Sequence, residues 1–140
     1  MNEGEERIVF DTEPLVAYIH DEPGAEDVKE YLDRVVDGTV NGFVSPVTLT
    51  EVHYIAQRYS TELDPDDFIT DLRAYGVDQV TASNCWREAA RYKHKYQVAL
   101  GDAYSLAAAE YVDAPLLVGG DDDFDGVTEV KIERFRDDSA

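Results

Sequence analysis

The stretch Ile8-Val9-Phe10-Asp11-Thr12, with Pro14 and the apolar residues 15–19 directly after it, decides the fold. Three apolar residues of strand type lead straight into an aspartate, and a helical pattern starts at Pro14, a residue that suits the first turn of a helix. A carboxylate between a strand and a helix lies at the carboxyl end of a sheet, where open α/β folds build their sites. Asp11 is therefore the first candidate functional residue. The alternative is that Asp11 or Thr12 only caps the helix.

Length and composition predict one globular domain covering residues 1–140. With 44% hydrophobic residues, a chain of 140 residues can bury a core, and no apolar run reaches the ~20 residues of a membrane span. Residues 1–7 are acidic and polar, unlike a signal peptide, so we expect a cytoplasmic protein with no membrane partner. Cys85 is the only cysteine, which excludes an internal disulfide, and we expect it to be a small buried residue.

The chain is strongly acidic, with 31 Asp and Glu against 12 Lys and Arg and a formal net charge of −19. Such a surface should repel nucleic acid. The acids are scattered and lysine is scarce, which indicates adaptation to high intracellular salt, as in a halophilic host. At about 1 M salt the Debye length falls to ~3 Å, so the acidic surface no longer repels a polyanion at long range. A disordered acidic protein is the alternative, and the distributed Val, Leu, Ile and Tyr residues argue against it.

Helical and strand patterns continue along the rest of the chain. The predicted elements are helix 28–36, strand 40–44, helix 46–59, helix 65–75, strand 77–81, helix 84–96, helix 101–111, strand 116–118 and edge strand 127–135. Ser45-Pro46 and Asp64-Pro65 suit helix starts, and Ser83 or Asn84 is predicted to cap the helix that ends near Tyr96. This order predicts an α/β fold with a parallel sheet.

Four carboxylates fall at equivalent places in this order. Asp11 and Asp121 follow strands, whereas Glu51 and Asp102 lie in the opening turns of helices. Each alone is explained as a helix cap or a partner of the helix dipole. Together they predict a cluster of acids at one edge of the sheet. Without bound cations, these like charges would repel one another. Hard oxygen ligands suit Mg²⁺ or Mn²⁺, and such ions activate water for hydrolysis of a phosphodiester.

The helix that ends near Tyr96 carries a third of the basic residues, namely Arg87, Arg91, Lys93 and Lys95. Against the acidic background, this cluster is a candidate RNA-binding surface, and aromatic residues in the same helix are available for base stacking. The alternative is a solvated helix face whose aromatic residues are turned to the core. The sequence supports the two interpretations about equally.

Four motifs give the chain a resemblance to the PIN-domain family, and most closely to VapC-type toxin ribonucleases. They are Val9-Phe10-Asp11-Thr12, Ser45-Pro46-Val47-Thr48-Leu49-Thr50-Glu51, Gly101-Asp102-Ala103 and Leu117-Val118-Gly119-Gly120-Asp121-Asp122-Asp123-Phe124. The resemblance covers nearly the whole chain in order. It implies a three-layer α/β/α sandwich with a central, mostly parallel sheet, and cleavage of single-stranded RNA with Mg²⁺ or Mn²⁺. It also implies a homodimer and a cognate VapB-type antitoxin.

The resemblance assigns roles to individual residues. The catalytic and metal-binding acids it implies are Asp11, Glu51, Asp102 and Asp121, with Asp123 as an auxiliary ligand. Two positions depart from the family pattern. Gly119 stands where Ser or Thr is common, and Glu13 stands where Asn or a small polar residue is common. Both departures bear on whether a second metal ion binds.

Two other functions stay open at this point. Phe10-Asp11-Thr12-Glu13 and the residues 120–125 are similar to the first and last motifs of haloacid-dehalogenase-like phosphatases, in which Asp11 would be a nucleophile that forms an aspartyl-phosphate. That family has an aspartate where this chain has Glu13, and it gives Glu51 and Asp102 no role. The second alternative is a non-catalytic binding module with a PIN-like fold. The presence of all four acids argues against it.

Overall fold

The fold is a five-stranded parallel sheet between two helical layers. The structure is a computed structural model that describes residues 6–59 and 62–136. In chain order the elements are β1 (Glu6–Phe10), α1 (Thr12–Ile19), α2 (Ala25–Val36), β2 (Val40–Val44), α3 (Pro46–Tyr59), α4 (Pro65–Tyr75), β3 (Asp78–Gln79), α5 (Trp86–Tyr96), α6 (Leu100–Val112), β4 (Leu116–Val118) and β5 (Ile132–Arg134). None of the described helices is long and apolar enough to cross a membrane.

The strand order is β3-β2-β1-β4-β5, and every neighbouring pair is parallel. The chain builds outward from β1 through β2 to β3 and then returns to place β4 on the other side of β1. The strand order therefore reverses between β1 and β4, and open α/β sheets bind ligands beyond the carboxyl ends of such a pair. Phe10 is in register with Leu117, so the two strands end at the same edge of the sheet.

Alternate residues of the central strands pack into two separate cores. Ile8 and Phe10 of β1 contact the core formed with α1 to α4, whereas Val9 faces the core formed with α5 and α6. Because both faces of β1 are buried, its sequence is a continuous apolar run, as is usual in parallel sheets. Helices on both faces of the sheet confirm the predicted three-layer α/β/α sandwich. Cys85 is buried, as predicted.

The start of α5 differs from the prediction. Residues 82–84 form a 3₁₀ turn, in which Asn84 N donates to Thr81 O at 3.0 Å and Cys85 N donates to Ala82 O at 3.1 Å. The helix begins at Trp86 with Cys85 as its N-cap residue, so the prediction that Ser83 or Asn84 caps this helix is wrong. The turn takes the place of a side-chain cap and carries Cys85 into the core.

The two edge strands are shorter than the apolar pattern predicts. β3 has two residues of the expected 77–81, and β5 has three of the expected 127–135. Val127 and Val130 are both buried, and Val127 N closes a turn onto Phe124 O at 3.1 Å. The two valines are therefore spaced for a turn that packs against the core. Pairing with β4 begins only at Ile132.

Candidate metal and catalytic site

The four acids line one depression of about 330 Å³ at the carboxyl edge of β1 and β4. Asp11 directly follows β1, and Asp121 follows β4 after two glycines. Glu51 lies in the second turn of α3 and Asp102 in the first turn of α6. The structure thus brings together side chains that are far apart in the sequence, at the point where the strand order reverses.

Three carboxylates of this region are close enough to share one cation. One oxygen atom from each of Asp102, Asp121 and Asp123 lies within 4.8 Å of the others. Asp121 Oδ1 also accepts a hydrogen bond from Asp123 N at 2.9 Å, which caps the short turn over residues 122–124. A group of carboxylate oxygens without sulfur or imidazole fits Mg²⁺ or Mn²⁺.

Asp11 is buried, and a hydroxyl group holds it. Its Oδ1 accepts a hydrogen bond from Ser105 Oγ at 2.8 Å. Although Asp11 occupies the N-cap position of α1, its side chain makes no capping hydrogen bond in the described part of the chain. Ser105 lies three residues after Asp102 on α6. One face of this helix therefore carries both Asp102 and the hydroxyl group that orients Asp11.

The pKa of Asp11 is raised from 3.8 to about 6. Burial is the main cause, because removal from water disfavours the charged carboxylate, and the negative charges of Glu51 and Glu13 add to it. Hydrogen bonds from the Ser105 hydroxyl and the Thr12 amide act in the opposite direction. As a net result, ionisation of the Asp11 carboxyl group is less favourable at this buried position than in water.

The pKa of Asp102 is raised further, to about 7. Burial again comes first, followed by the negative charges of Asp11, Asp121, Asp123 and Glu51. The pKa of Asp123 is also raised, chiefly by the charge of Asp121. Acids that destabilise one another in this way would be stabilised by a bound cation, and such perturbed groups are common at functional sites.

Glu51 is half-buried on α3. Thr12 Oγ1 donates a hydrogen bond to Glu51 Oε1 at 2.9 Å. On the other side, a Cβ atom at Gly101 would overlap the Glu51 carboxylate. Gly101 therefore allows the Glu51 side chain to reach the start of α6, next to Asp102.

Three hydroxyl residues are buried beneath the acids, and their contacts with one another were not predicted. Ser45, Thr48 and Ser105 are fully buried, and Thr48 Oγ1 lies 3.3 Å from Ser45 Oγ and 3.4 Å from Ser105 Oγ. Thr48 N also donates to Ser45 Oγ at 3.0 Å, which confirms Ser45 as the cap of α3. A signal for Ser105 did exist in the sequence, because it is a hydroxyl three residues after Asp102 in an otherwise alanine-rich helix.

The two departures from the family pattern, Glu13 and Gly119, form one structural unit. Glu13 Oε2 accepts a hydrogen bond from Gly120 N at 3.2 Å and lies 3.6 Å from Arg136 Nε. A Cβ atom at Gly119 would overlap the Glu13 carboxylate. Glu13 therefore fills the space that a side chain at position 119 would take, and both residues line the depression.

The predicted RNA-binding residues Arg91 and Lys95 belong to a separate group of charges, here called the α5 ion-pair cluster. Arg91 pairs with Glu88 at 2.6 Å, with Glu110 at 3.0 Å and with Glu129 at 2.8 Å. Lys95 Nζ lies 3.1 Å from Glu129 Oε2. These five residues lie outside the lining of the acidic depression.

The other two predicted RNA-binding residues make different contacts. The Arg87 guanidinium lies 4.9 Å from the centre of the Trp86 ring, and Trp86 as a whole residue is 51% exposed. Lys93 Nζ donates to Val98 O at 3.0 Å. Tyr92 is fully buried, so Trp86 is the more accessible of these two rings for stacking on a base.

Known proteins similar to this chain share one family. The PIN domain model matches residues 8–130. VapC ribonuclease Mb2780c of Mycobacterium bovis and ribonuclease VapC42 of Mycobacterium tuberculosis are each 33% identical to the chain, in a 124-residue alignment that covers 82% of this chain and 92% of each relative. Among solved structures, VapBC2 from Rickettsia felis bound to a DNA fragment from its promoter has a TM-score of 0.71 at 13% identity, covering 91% of this chain and 98% of that one. A toxin-antitoxin complex from Klebsiella pneumoniae has a TM-score of 0.67 at 21% identity, covering 89% and 99%.

Proposed function

The chain belongs to the PIN-domain family, and from this premise we propose that it is a VapC-type endoribonuclease that depends on a divalent cation. The observation that carries the proposal is the convergence of Asp11, Glu51, Asp102 and Asp121 on one depression at the reversal point of the sheet. Burial and mutual repulsion raise the pKa of Asp102 to about 7. Mg²⁺ or Mn²⁺ is the ligand that such a group of oxygen donors fits best.

Each residue of the site has a role in this proposal. A divalent cation supplies Lewis-acid stabilisation of the charge that develops during an in-line displacement at phosphorus. Asp102, Asp121 and Asp123 would hold the cation, since their oxygens already lie within 4.8 Å of one another. Asp11 and Glu51 complete the acidic lining, and the hydroxyls that bind them fix their orientation.

A carboxylate is the group available to accept the proton of the attacking water. No histidine lines the depression in the part of the chain that the structure describes. Cleavage by this route leaves a 5′-phosphate and a 3′-hydroxyl. A group with a pKa near the working pH is best suited to proton transfer, and the acids of this depression are shifted in that direction.

The test is cleavage of single-stranded RNA by the purified protein with Mn²⁺ at high salt. Asp11→Asn and Asp121→Asn should each abolish cleavage while the fold is retained. Asp71→Asn is the matched control, because this exposed aspartate of α4 lies outside the depression. Cleavage by both site variants, or none by the parent protein, would count against the proposal.

The same preparation separates the alternative functions. A covalent phosphate on Asp11 after incubation with a small phosphomonoester, without RNA cleavage, would indicate a phosphatase. RNA binding in the presence of Mn²⁺ without any cleavage would indicate a non-catalytic module. The 5% exposure of Asp11 and its hydrogen bond from Ser105 suit a fixed site acid better than a nucleophile that must meet its substrate.

For RNA contact we propose the α5 surface, with Arg87 and Lys93 as the main cations. Trp86 is exposed beside Arg87 and offers a ring for base stacking. Arg91 and Lys95 should contribute less, because glutamates already pair with both. Arg87→Gln with Trp86→Ala should weaken RNA binding and leave Mn²⁺ affinity unchanged. Unchanged RNA binding would return this segment to the solvated-face interpretation.

The proposed partners are a VapB-type antitoxin and a second copy of the chain. The solved structures similar to this fold include toxin-antitoxin complexes, among them VapBC2 from Rickettsia felis. Co-expression with a cognate VapB-type antitoxin should give a stable complex without ribonuclease activity. Light scattering of the isolated 15.7 kDa chain should give a dimer mass. A monomer mass would contradict the proposed dimer. An active complex would contradict the proposed inhibition by the antitoxin.

A further inference from the structure

Arg134 ties the turn that carries two of the acids to the last strand. It lies at the end of β5, in register with Val118 of β4. Its Nη1 donates hydrogen bonds to Gly119 O at 2.7 Å and to Asp121 O at 2.8 Å. Its Nη2 contacts Asp125 Oδ1 at 2.7 Å. One guanidinium group thus binds both ends of the turn over residues 119–125.

Besides Arg134, the bond from Gly120 N to Glu13 Oε2 ties this turn to another part of the chain. Four of its residues are aspartates, at positions 121, 122, 123 and 125, and all four are exposed. Phe124 is its buried anchor, and the bonds from Asp123 N to Asp121 Oδ1 and from Asp125 N to Asp122 O act only within the turn. Four neighbouring carboxylates repel one another, and the cationic Arg134 is only 31% exposed beside them.

We propose that Arg134 is a positioning residue that sets the backbone of the 119–125 turn, so that Asp121 and Asp123 meet Asp102 at cation-binding distance. The proposal rests on the proposed function, because it concerns the same cation. Asp121 is held through its own carbonyl oxygen, so its Cα position follows the guanidinium directly. Residues that orient metal ligands typically contribute 10- to 100-fold to metal affinity.

The geometry separates positioning from simple charge compensation. Arginine has donors in a rigid planar fork, which here reach two carbonyl groups and one carboxylate at once. Lysine keeps the charge but offers a single ammonium group. If Arg134 acted only through its charge, Arg134→Lys would behave as the parent protein. If it acts as a fork, Arg134→Lys should recover only part of the function.

The test is a Mn²⁺ titration of the full chain followed by the EPR signal of free Mn²⁺. Arg134→Gln should raise the Kd for Mn²⁺ by about 10- to 100-fold, and Arg134→Lys should fall between this variant and the parent protein. The matched control is Arg34→Gln, which removes an arginine that pairs with Glu6 at the opposite end of β1. Its Kd should be unchanged.

Hydrogen exchange of the metal-free protein gives a second readout that does not depend on activity. In Arg134→Gln, amides of residues 119–125 should exchange faster, while those of the central strands should keep the parent rates. Mn²⁺ affinity and local exchange both at the parent level would overturn the positioning role. A parent protein that binds no Mn²⁺ would overturn the proposed function and the positioning role together.

A second pair of variants decides the question if Arg134→Gln does not fold. Asp125→Asn weakens one of the three Arg134 contacts and leaves the arginine in place. Asp122→Asn removes the same charge from the same turn without a side-chain contact to Arg134. A greater loss of Mn²⁺ affinity in Asp125→Asn than in Asp122→Asn supports the positioning role. Equal losses overturn it.

Discussion

The acidic depression and the α5 ion-pair cluster are built from the same carboxylate chemistry but have opposite electrostatics. In the depression, burial and neighbouring acids raise the pKa of Asp102 to about 7. In the cluster, hydrogen bonds from Lys95, Tyr96 and Arg91 lower the pKa of Glu129 to about 2. The carboxylates of the first region are therefore destabilised as anions, and Glu129 in the second is stabilised.

The difference indicates which acids serve the fold and which serve binding. With 31 acidic and 12 basic residues, the chain cannot pair every carboxylate. The cluster uses its cations to join α5, α6 and the segment before β5. Arg136 is the one cation that lines the depression within the described ranges, and it pairs with Glu13 and Glu22 at the rim. The acids at the centre are thus the groups that the proposed cation would bind.

The largest expected effect comes from neutralising one acid in each region. Asp102→Asn should lower RNA cleavage by about a thousandfold or more, because the several kcal/mol of charge stabilisation that a metal supplies would be lost. Glu129→Gln should retain cleavage and lower stability, because Arg91 and Lys95 lose a partner. Rates of RNA cleavage and thermal unfolding of both variants check the contrast. Loss of cleavage in Glu129→Gln would contradict the contrast between the two regions.

The pH dependence of stability should also separate the two regions. In the metal-free protein the pKa of Asp11 is about 6, above its usual 3.8, so the folded state binds the proton more tightly. The contribution of Asp11 to the free energy of unfolding is therefore fully present below about pH 4. It falls by about 3 kcal/mol as the pH rises through 6, because the pKa is raised by roughly two. The raised pKa of Asp102 has the same effect, and its contribution to stability is lost as the pH rises through about 7.

Glu129 gives the opposite trend in another window. Its pKa in the folded state is about 2, below the usual 4.5, so its contribution is present above pH 4.5 and is lost as pH falls towards 2. Denaturant unfolding of the parent protein, Asp11→Asn and Glu129→Gln from pH 3 to 8, with EDTA and constant high salt, measures both trends. The difference between the parent and Asp11→Asn should grow between pH 4 and 7. A constant difference would contradict the assigned burial cost of Asp11.

Added Mn²⁺ should stabilise the protein through the depression alone. At free Mn²⁺ of about 100 times its Kd, binding to the folded state adds about 2.7 kcal/mol to the free energy of unfolding. Asp11→Asn and Asp102→Asn should abolish most of this gain, whereas Glu129→Gln should keep it. Thermal unfolding with and without Mn²⁺ measures the effect. An equal gain in all variants would place the cation elsewhere.

A smaller effect is expected at the centre of the α5 ion-pair cluster. Arg91→Gln removes three ion pairs at a side chain that is 39% exposed. Exposed pairs contribute little individually, so the loss of stability should be about 1 kcal/mol. Mn²⁺ affinity should stay at the parent value. Denaturant unfolding at low and at high salt checks this, since salt screening should reduce the loss. Weaker Mn²⁺ binding would show that the two regions are coupled.

An effect of about the same size is expected at the rim, where Arg136 pairs with Glu13. Gly119→Ala places a Cβ in the space of the Glu13 carboxylate, which must turn away and give up its bond to Gly120 N, at a cost of about 0.5–1.5 kcal/mol. In a Glu13→Ala background the same change should cost nearly nothing. A double-mutant cycle of unfolding free energies measures this coupling. Additive effects would mean that the two residues do not share this space.

Much of the site could be predicted because its parts follow local rules. The apolar residues before Asp11 and the helix after it place that acid at a strand end, and the order of elements places Asp121 there too. The helical pattern after Pro46 placed Glu51 in the opening turns of α3. The shortened β5 and the missing side-chain cap of α5 were not predictable in this way, because tertiary packing of Val127 and Cys85 overrides the local pattern.

By itself, the sequence determined the order of strands and helices and the carboxyl-edge location of the acids, because periodicity and strand ends are local properties of the chain. Only the tertiary structure decided what holds those acids. Ser105 and Asp11 are 94 positions apart and meet at 2.8 Å, and Arg134 meets the carbonyl of Gly119 from a different strand. The reason is physical: a side chain's hydrogen-bond partner depends on how distant elements pack, and residue spacing along the chain does not by itself fix that packing.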